Sequence, residues 1–193
     1  MGKKAYLALV SLCLALPGTA VLAADSIQAL ANTCNNCHGM NGVSAGGAMP
    51  SIAGQSADYL KTVMMQWKSG ERAGGTMNRL IKGYSDDQID GLAKHFAKLP
   101  WTPVAQQASA DVLSKGKEAT DRCESCHGAT GGEPDGNDIP RLNGQQAKYL
   151  ELELMKYRDE GFQMSHKKMI KNARKIEAAD VDTIARYYGA QSK

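Results

Sequence analysis

The sequence predicts an all-α protein made of two tandem domains that share one helical plan. Three observations predict it. The pattern Cys34-Asn35-Asn36-Cys37-His38 returns as Cys123-Glu124-Ser125-Cys126-His127. Its surroundings return with it: Pro50-Ser51-Ile52-Ala53-Gly54-Gln55 through Tyr59-Leu60 matches Pro140-Arg141-Leu142-Asn143-Gly144-Gln145 through Tyr149-Leu150. The offset is 89 residues at the cysteines and 90 at the prolines, which makes the chain a duplicated unit. Finally, helix-start signals and helical periodicity recur in both halves, with a Gly-rich loop after each cysteine pattern.

The first 23 residues read as a secretory signal peptide: basic Met1-Gly2-Lys3-Lys4, an apolar run from Tyr6 to Leu16, and small residues at Val21-Leu22-Ala23 for cleavage. Pro17-Gly18 and Asp25 break the run short of the roughly 20 apolar residues a membrane span needs. Cys13 lies inside this segment and leaves with it, so four cysteines remain. Residues 24–100 form the first domain, 101–108 a linker and 109–193 the second domain. In the first domain a short helix over Ile27 to Asn32 leads into the cysteine pattern, a middle helix starts near Ala57, and a last helix covers Ser85 to Leu99. Ser85 caps that helix, and Asp86-Asp87 suit its first turn. Leu99-Pro100-Trp101-Thr102-Pro103 ends the unit, because proline cannot continue a helix. The second domain repeats the plan with helices over Ala110 to Thr120, from about Ala147, and over about Ala178 to Tyr188.

Two thiols separated by two residues and followed at once by histidine form the c-type haem attachment pattern. The thiols add across the two haem vinyl groups, which places the histidine under the iron. Zinc, a redox dithiol or disulfides would use paired cysteines but do not require the histidine after each pair. Cys34, Cys37, Cys123 and Cys126 are therefore the covalent haem anchors, His38 and His127 the proximal iron ligands, and the cofactors two haem c groups. Domains this small bury little apolar surface of their own; the haem supplies much of the core, in keeping with an aromatic content of only 6%.

Histidine opposite methionine leaves an iron without an open position and suits it to electron transfer. Met40 and Met49 follow His38 too closely to reach the opposite haem face, and Met64-Met65 sit on the middle helix, where packing is the expected role. Met77, in a loop before the last helix, is the candidate sixth ligand of the first haem. Met169 stands in the corresponding place in the second half, with Met164 and His166 as rivals. His95, inside the last helix of the first domain, reads as a surface or core histidine. Pro50 and Pro140 lie where their carbonyls can accept the second ring N–H of His38 and His127, as metal-bound histidines require. The repeated Gln55, Tyr59, Gln145 and Tyr149 suit contacts to haem propionates or a domain interface, or ordinary helix starts.

Charge sets few constraints. Without Lys3 and Lys4 the 23 basic residues fall to near parity with 20 acidic ones, so nucleic-acid binding finds no support. No later apolar run reaches membrane-spanning length. Lys167, Lys168, Lys171, Arg174 and Lys175 surround Met169, either to steer an acidic partner or as a solvated helix face.

With Cys-x-x-Cys-His-Gly, Pro-x-x-x-Gly-Gln and a late methionine in each half, the mature chain resembles the dihaem cytochromes c4: two tandem class I cytochrome c domains, each wrapped around one haem. Lys68-Ser69-Gly70-Glu71, Thr76-Met77-Asn78-Arg79-Leu80-Ile81-Lys82-Gly83-Tyr84-Ser85 and Lys167-Lys168-Met169 are similar to the dihaem cytochrome subunit of flavocytochrome c sulfide dehydrogenase. That resemblance implies a periplasmic electron-transfer subunit with no catalytic site of its own. It would pair with a flavoprotein subunit that carries FAD and oxidises sulfide, and pass electrons to a soluble acceptor such as a small cytochrome c. A freestanding cytochrome c4-type carrier feeding a terminal oxidase is the alternative, and a dihaem peroxidase-like enzyme a third; Met77 and Met169 match the family's ligand positions and speak against an open iron.

Overall fold

A computed structural model describes the backbone of residues 19–104 and 106–192, with side chains from Ile27 onward. The signal-peptide assignment, including Cys13, lies almost wholly outside the described residues. Among the described residues the chain is helical: α1 (Thr19–His38), α2 (Ala57–Ser69), α3 (Met77–Leu80), α4 (Asp86–Ala97), α5 (Ala110–Ala119), α6 (Asp121–His127), α7 (Ala147–Arg158), α8 (Lys167–Ala173) and α9 (Asp180–Gly189), with short 3-10 turns at Met40–Gly42 and Ile81–Gly83. No described helix is long and apolar enough to cross a membrane.

Local chemistry explains several helix starts. Ser56 accepts from the Tyr59 N–H ahead of α2, and Ser109 accepts from the Val112 N–H ahead of α5. Ser85 and Gln88 form a reciprocal capping box on α4, satisfying two otherwise orphan donors. The closing helix of each half then buries a matching stripe. Ile89, Leu92, Ala93 and Phe96 on α4 and Val181, Ile184, Ala185 and Tyr188 on α9 are buried, a spacing of three, four and seven residues that puts each set on one helical face. Complete burial of each large member stabilises by about 1.5–3 kcal/mol.

Two apolar clusters result. Ala31, Leu60, Leu92, Ala93 and Phe96 join α1, α2 and α4; Leu154, Ala173, Ile176, Val181, Ile184, Tyr187 and Tyr188 join α7, α8 and α9. Helices α1 and α2 pack on α4, and α5 and α7 pack on α9, so the same three-helix frame appears twice. Two details differ from expectation. Helix α1 continues through the cysteine pattern to His38 instead of stopping at Asn32, whereas in the second half Thr120 breaks the run and α6 carries the pattern. Met77 opens a short helix and does not lie in a loop.

The linker is bonded to the second half. Trp101 Nε1 donates to the Asn143 carbonyl at 3.2 Å, and the Val104 and Gln106 N–H groups donate to the carbonyls of Gly144 and Gly189 at 2.8 and 2.9 Å.

Candidate haem sites

The ends of α1 and α6 present the two histidines in the same way. Each helix finishes on its histidine and turns out through a glycine with positive φ, Gly39 at 79° and Gly128 at 78°. His38 and His127 are both buried. The Nδ1–H of His38 donates to the Pro50 carbonyl at 2.8 Å, and that of His127 donates to the Pro140 carbonyl at 3.0 Å. This fixes each ring as the Nδ1–H tautomer and leaves Nε2 with its lone pair. Burial holds both histidines below their usual pKa, opposed by the proline carbonyls, with His166 lowering His127 a little further. Neutral imidazole is the form that binds metals.

Cys34, Cys123 and Cys126 are half-buried and Cys37 is exposed. No group of three or more His, Cys, Asp or Glu side chains is gathered as an ion site among the described residues.

Both cysteine pairs and both histidines line one cavity of about 800 Å³ that passes from one half to the other. Met77 and Met169 line it, as do Met49, Met64 and His166. Met40 is 75% exposed. His166 is the N-cap of α8: its Nδ1 accepts from the Met169 N–H at 3.1 Å, and its Nε2 lies 3.6 Å from Asp138. Its Nδ1 is thus taken up by the helix cap, while Nε2 faces Asp138 beyond hydrogen-bond distance. His95 stacks edge-on against Phe96, a packing role.

The middle of the cavity wall holds a polar cluster that sequence reasoning did not find. Arg72, 4% exposed, donates to the Tyr157 hydroxyl at 2.9 Å and to Glu153 at 2.8 Å, and its guanidinium also lies over the rings of Trp67 and Tyr157. Lys156 pairs with the other oxygen of Glu153. Tyr59 and Tyr149 line the same stretch; burial pushes Tyr59 up to about 12 and Tyr149 well above its usual value. Trp67 Nε1 is buried on this wall without a hydrogen-bond partner. A guanidinium, an unpaired N–H and an apolar remainder fit haem, an apolar macrocycle that carries carboxylates. No sequence signal announced Arg72, because its partners lie more than 80 residues away.

The repeated glutamines cross between the halves. Gln55 Nε2 donates to the Arg141 carbonyl and its Oε1 accepts from the Arg141 N–H, both at 2.9 Å. Gln145 does the same to Ser51, at 2.9 and 2.8 Å. They are interface residues, one of the alternatives their repetition offered.

No family model matches the chain. Among solved structures, reduced recombinant cytochrome c4 from Pseudomonas stutzeri aligns with a TM-score of 0.76 over 87% of this chain and 98% of that one, at 23% identity, which establishes the fold as tandem all-α class I cytochrome c domains. Among sequences, the thiosulfate dehydrogenase electron acceptor of Stutzerimonas stutzeri is 28% identical over 82% of this chain and 78% of its own length. The cytochrome subunit of sulfide dehydrogenase of Chlorobaculum tepidum is 36% identical over 37% of this chain and 64% of its own length. Cytochrome c4 of Azotobacter vinelandii is 30% identical over 93% of this chain and 96% of its own length. With that match across both halves, the chain belongs to the cytochrome c4 family and carries two haem c groups.

Proposed function

We propose that the chain is an exported, periplasmic electron-transfer protein that accepts electrons from a sulfur-compound dehydrogenase, in the first place a flavoprotein sulfide dehydrogenase subunit carrying FAD, and delivers them to a soluble acceptor such as a small cytochrome c. The observation that carries the electron-transfer reading is the single cavity lined by His38, Met77, His127 and Met169. Cys34 and Cys37, and Cys123 and Cys126, would anchor the two haems covalently; His38 with Met77, and His127 with Met169, would ligate their irons. When bound, each haem supplies a one-electron couple with a potential raised by methionine ligation.

The chain's own residues do the rest. Pro50 and Pro140 orient the histidine rings through their carbonyls. Ile52, Leu60, Val63, Leu142, Leu150 and Ile184 exclude water from the cavity walls, which lowers the local dielectric and limits reorganisation on electron transfer. Arg72, paired with Glu153 and Tyr157, adds a fixed polar group to the cavity wall. With a methionine on the wall of each site, substrate chemistry falls to the partner, and a peroxidase role is disfavoured.

The sulfur-oxidation reading draws support from the sulfide dehydrogenase and thiosulfate dehydrogenase relatives. The exposed Lys167, Lys168, Lys171, Arg174 and Lys175, on and just after α8, supply a positive surface near Met169 that suits an acidic partner. The full-length cytochrome c4 match favours a second reading, a freestanding carrier to a terminal oxidase. Anaerobic mixing of the oxidised dihaem protein with sulfide, with and without a flavoprotein sulfide dehydrogenase subunit, separates the two. Haem reduction that requires the flavoprotein supports the first; no acceleration by it, together with rapid exchange with an oxidase, establishes the second.

A further inference from the structure

Two peptide groups in this fold each take part in hydrogen bonds at both ends. The Pro50–Ser51 peptide accepts from His38 Nδ1–H at its carbonyl, 2.8 Å, and donates its Ser51 N–H to Gln145 Oε1 of the other half, also 2.8 Å. The Pro140–Arg141 peptide accepts from His127 Nδ1–H at 3.0 Å and donates its Arg141 N–H to Gln55 Oε1 at 2.9 Å. The arrangement is crossed: the glutamine of each half reaches the histidine of the opposite half through a single peptide unit.

Both glutamines are fixed in this orientation. Gln55 is 3% and Gln145 2% exposed. Each amide NH₂ donates back to the residue whose N–H its oxygen accepts, and Gln145 Oε1 also accepts from the Gln146 N–H at 3.0 Å. Their side chains cannot rotate away without leaving buried polar groups unpaired, at a cost of about 1–3 kcal/mol each.

A peptide is one conjugated unit. When its N–H donates to a good acceptor, electron density moves toward its carbonyl oxygen, and hydrogen bonds in series strengthen one another by about 10–30%. A stronger acceptor at Nδ1–H makes the opposite ring nitrogen more electron-rich and the histidine a more basic ligand. A more basic ligand favours the oxidised iron.

We infer that Gln55 and Gln145 are crossed positioning residues: Gln145 lowers the potential of the haem bound by His38, and Gln55 that of the haem bound by His127. The inference rests on the reading that His38 and His127 ligate iron through Nε2. Each haem's potential is thereby set in part by the opposite domain, and an event that loosens the interface raises both.

The test uses the intact dihaem protein and the variants Gln145→Met and Gln55→Met, which keep the volume and remove the hydrogen bonds. Potentials are read by an NMR-monitored redox titration in which each haem is identified by the paramagnetically shifted ring protons of its histidine. Gln145→Met is expected to raise the reduced-to-oxidised ratio of the His38 haem about threefold at fixed solution potential, or about 28 mV at 59 mV per decade. The His127 haem stays where it was, and Gln55→Met gives the mirror result. A shift on the same half as the substitution, an equal shift on both haems, or none on either overturns the inference; a merely structural glutamine gives one of these. Should the methionine variants not fold, Gln145→Asn and Gln55→Asn, one methylene too short to reach the peptide, carry the same prediction. Wild-type histidines 38 and 127 without shifted ring protons would instead overturn the ligand assignment, a failure distinct from an uncrossed shift.

Discussion

Gly54→Ala tests how rigidly the two halves are joined. Gly54 adopts φ 68°, and a Cβ built there falls 2.3 Å from the Trp101 nitrogen and 2.5 Å from its Cα. Trp101 cannot easily withdraw, because its indole N–H is bonded to the Asn143 carbonyl on the second half. The left-handed conformation costs an alanine about 1 kcal/mol, and forcing a methyl into closed packing adds about 1–3 kcal/mol. The sum, about 2–4 kcal/mol, corresponds to a thermal midpoint lowered by about 6–12 °C for a chain of this size. Gly70→Ala is the control: its φ is 84°, yet a Cβ there meets nothing within 4 Å, so only the conformational part, about 1 kcal/mol or 3 °C, is expected. Melting curves of the two dihaem variants followed by circular dichroism decide the matter. Equal losses would show that Trp101 gives way and that the linker does not hold the two halves rigidly together.

Arg72→Met removes the guanidinium from Glu153 and Tyr157, but Lys156 remains on Glu153, so the loss should stay near 1–3 kcal/mol and not reach the 3–5 of an orphaned buried charge; denaturant midpoints check this, and a larger loss means Lys156 does not compensate. Burial raises Tyr59 to about 12, and Tyr149 and Tyr157 rise as well, while an unfolded tyrosine ionises near 10. Their contribution is therefore whole below pH 10 and is lost as pH climbs toward and beyond 12, about 2–3 kcal/mol for Tyr59 alone; a tyrosinate absorbance titration of the folded protein that is already complete near pH 10 would refute it. Met169→Ala should remove about half of the methionine-to-iron charge-transfer band of the oxidised protein, and His166→Ala should leave it intact; the reverse result would make His166 the ligand.

What the sequence disclosed was whatever its chemistry keeps contiguous. Thioether attachment needs two cysteines and a histidine within five residues, so both sites stand out in the text. The Ser85 cap, closed by Gln88 three residues on, is equally local. Helix α1 misled because threonine, asparagine and cysteine are poor helix formers; the α1–α4 contact carries the helix through them. The crossed glutamines appeared as a repeat without a purpose, since each binds a backbone amide about 90 residues away, and backbone leaves no mark on sequence. Arg72 gave no signal at all. It follows Glu71 in a polar stretch, and only the approach of α7 reveals it as buried.

The bonded linker bears on how fast the chain can work. Two separate monohaem carriers must collide and orient before an electron passes, so their exchange slows as solvent viscosity rises. Here Trp101, Val104 and Gln106 fasten the connecting segment to the second half, and no encounter remains to be made between the domains. Transfer from one site to the other should be indifferent to added glycerol or sucrose, leaving only the meetings with outside partners to feel the solvent.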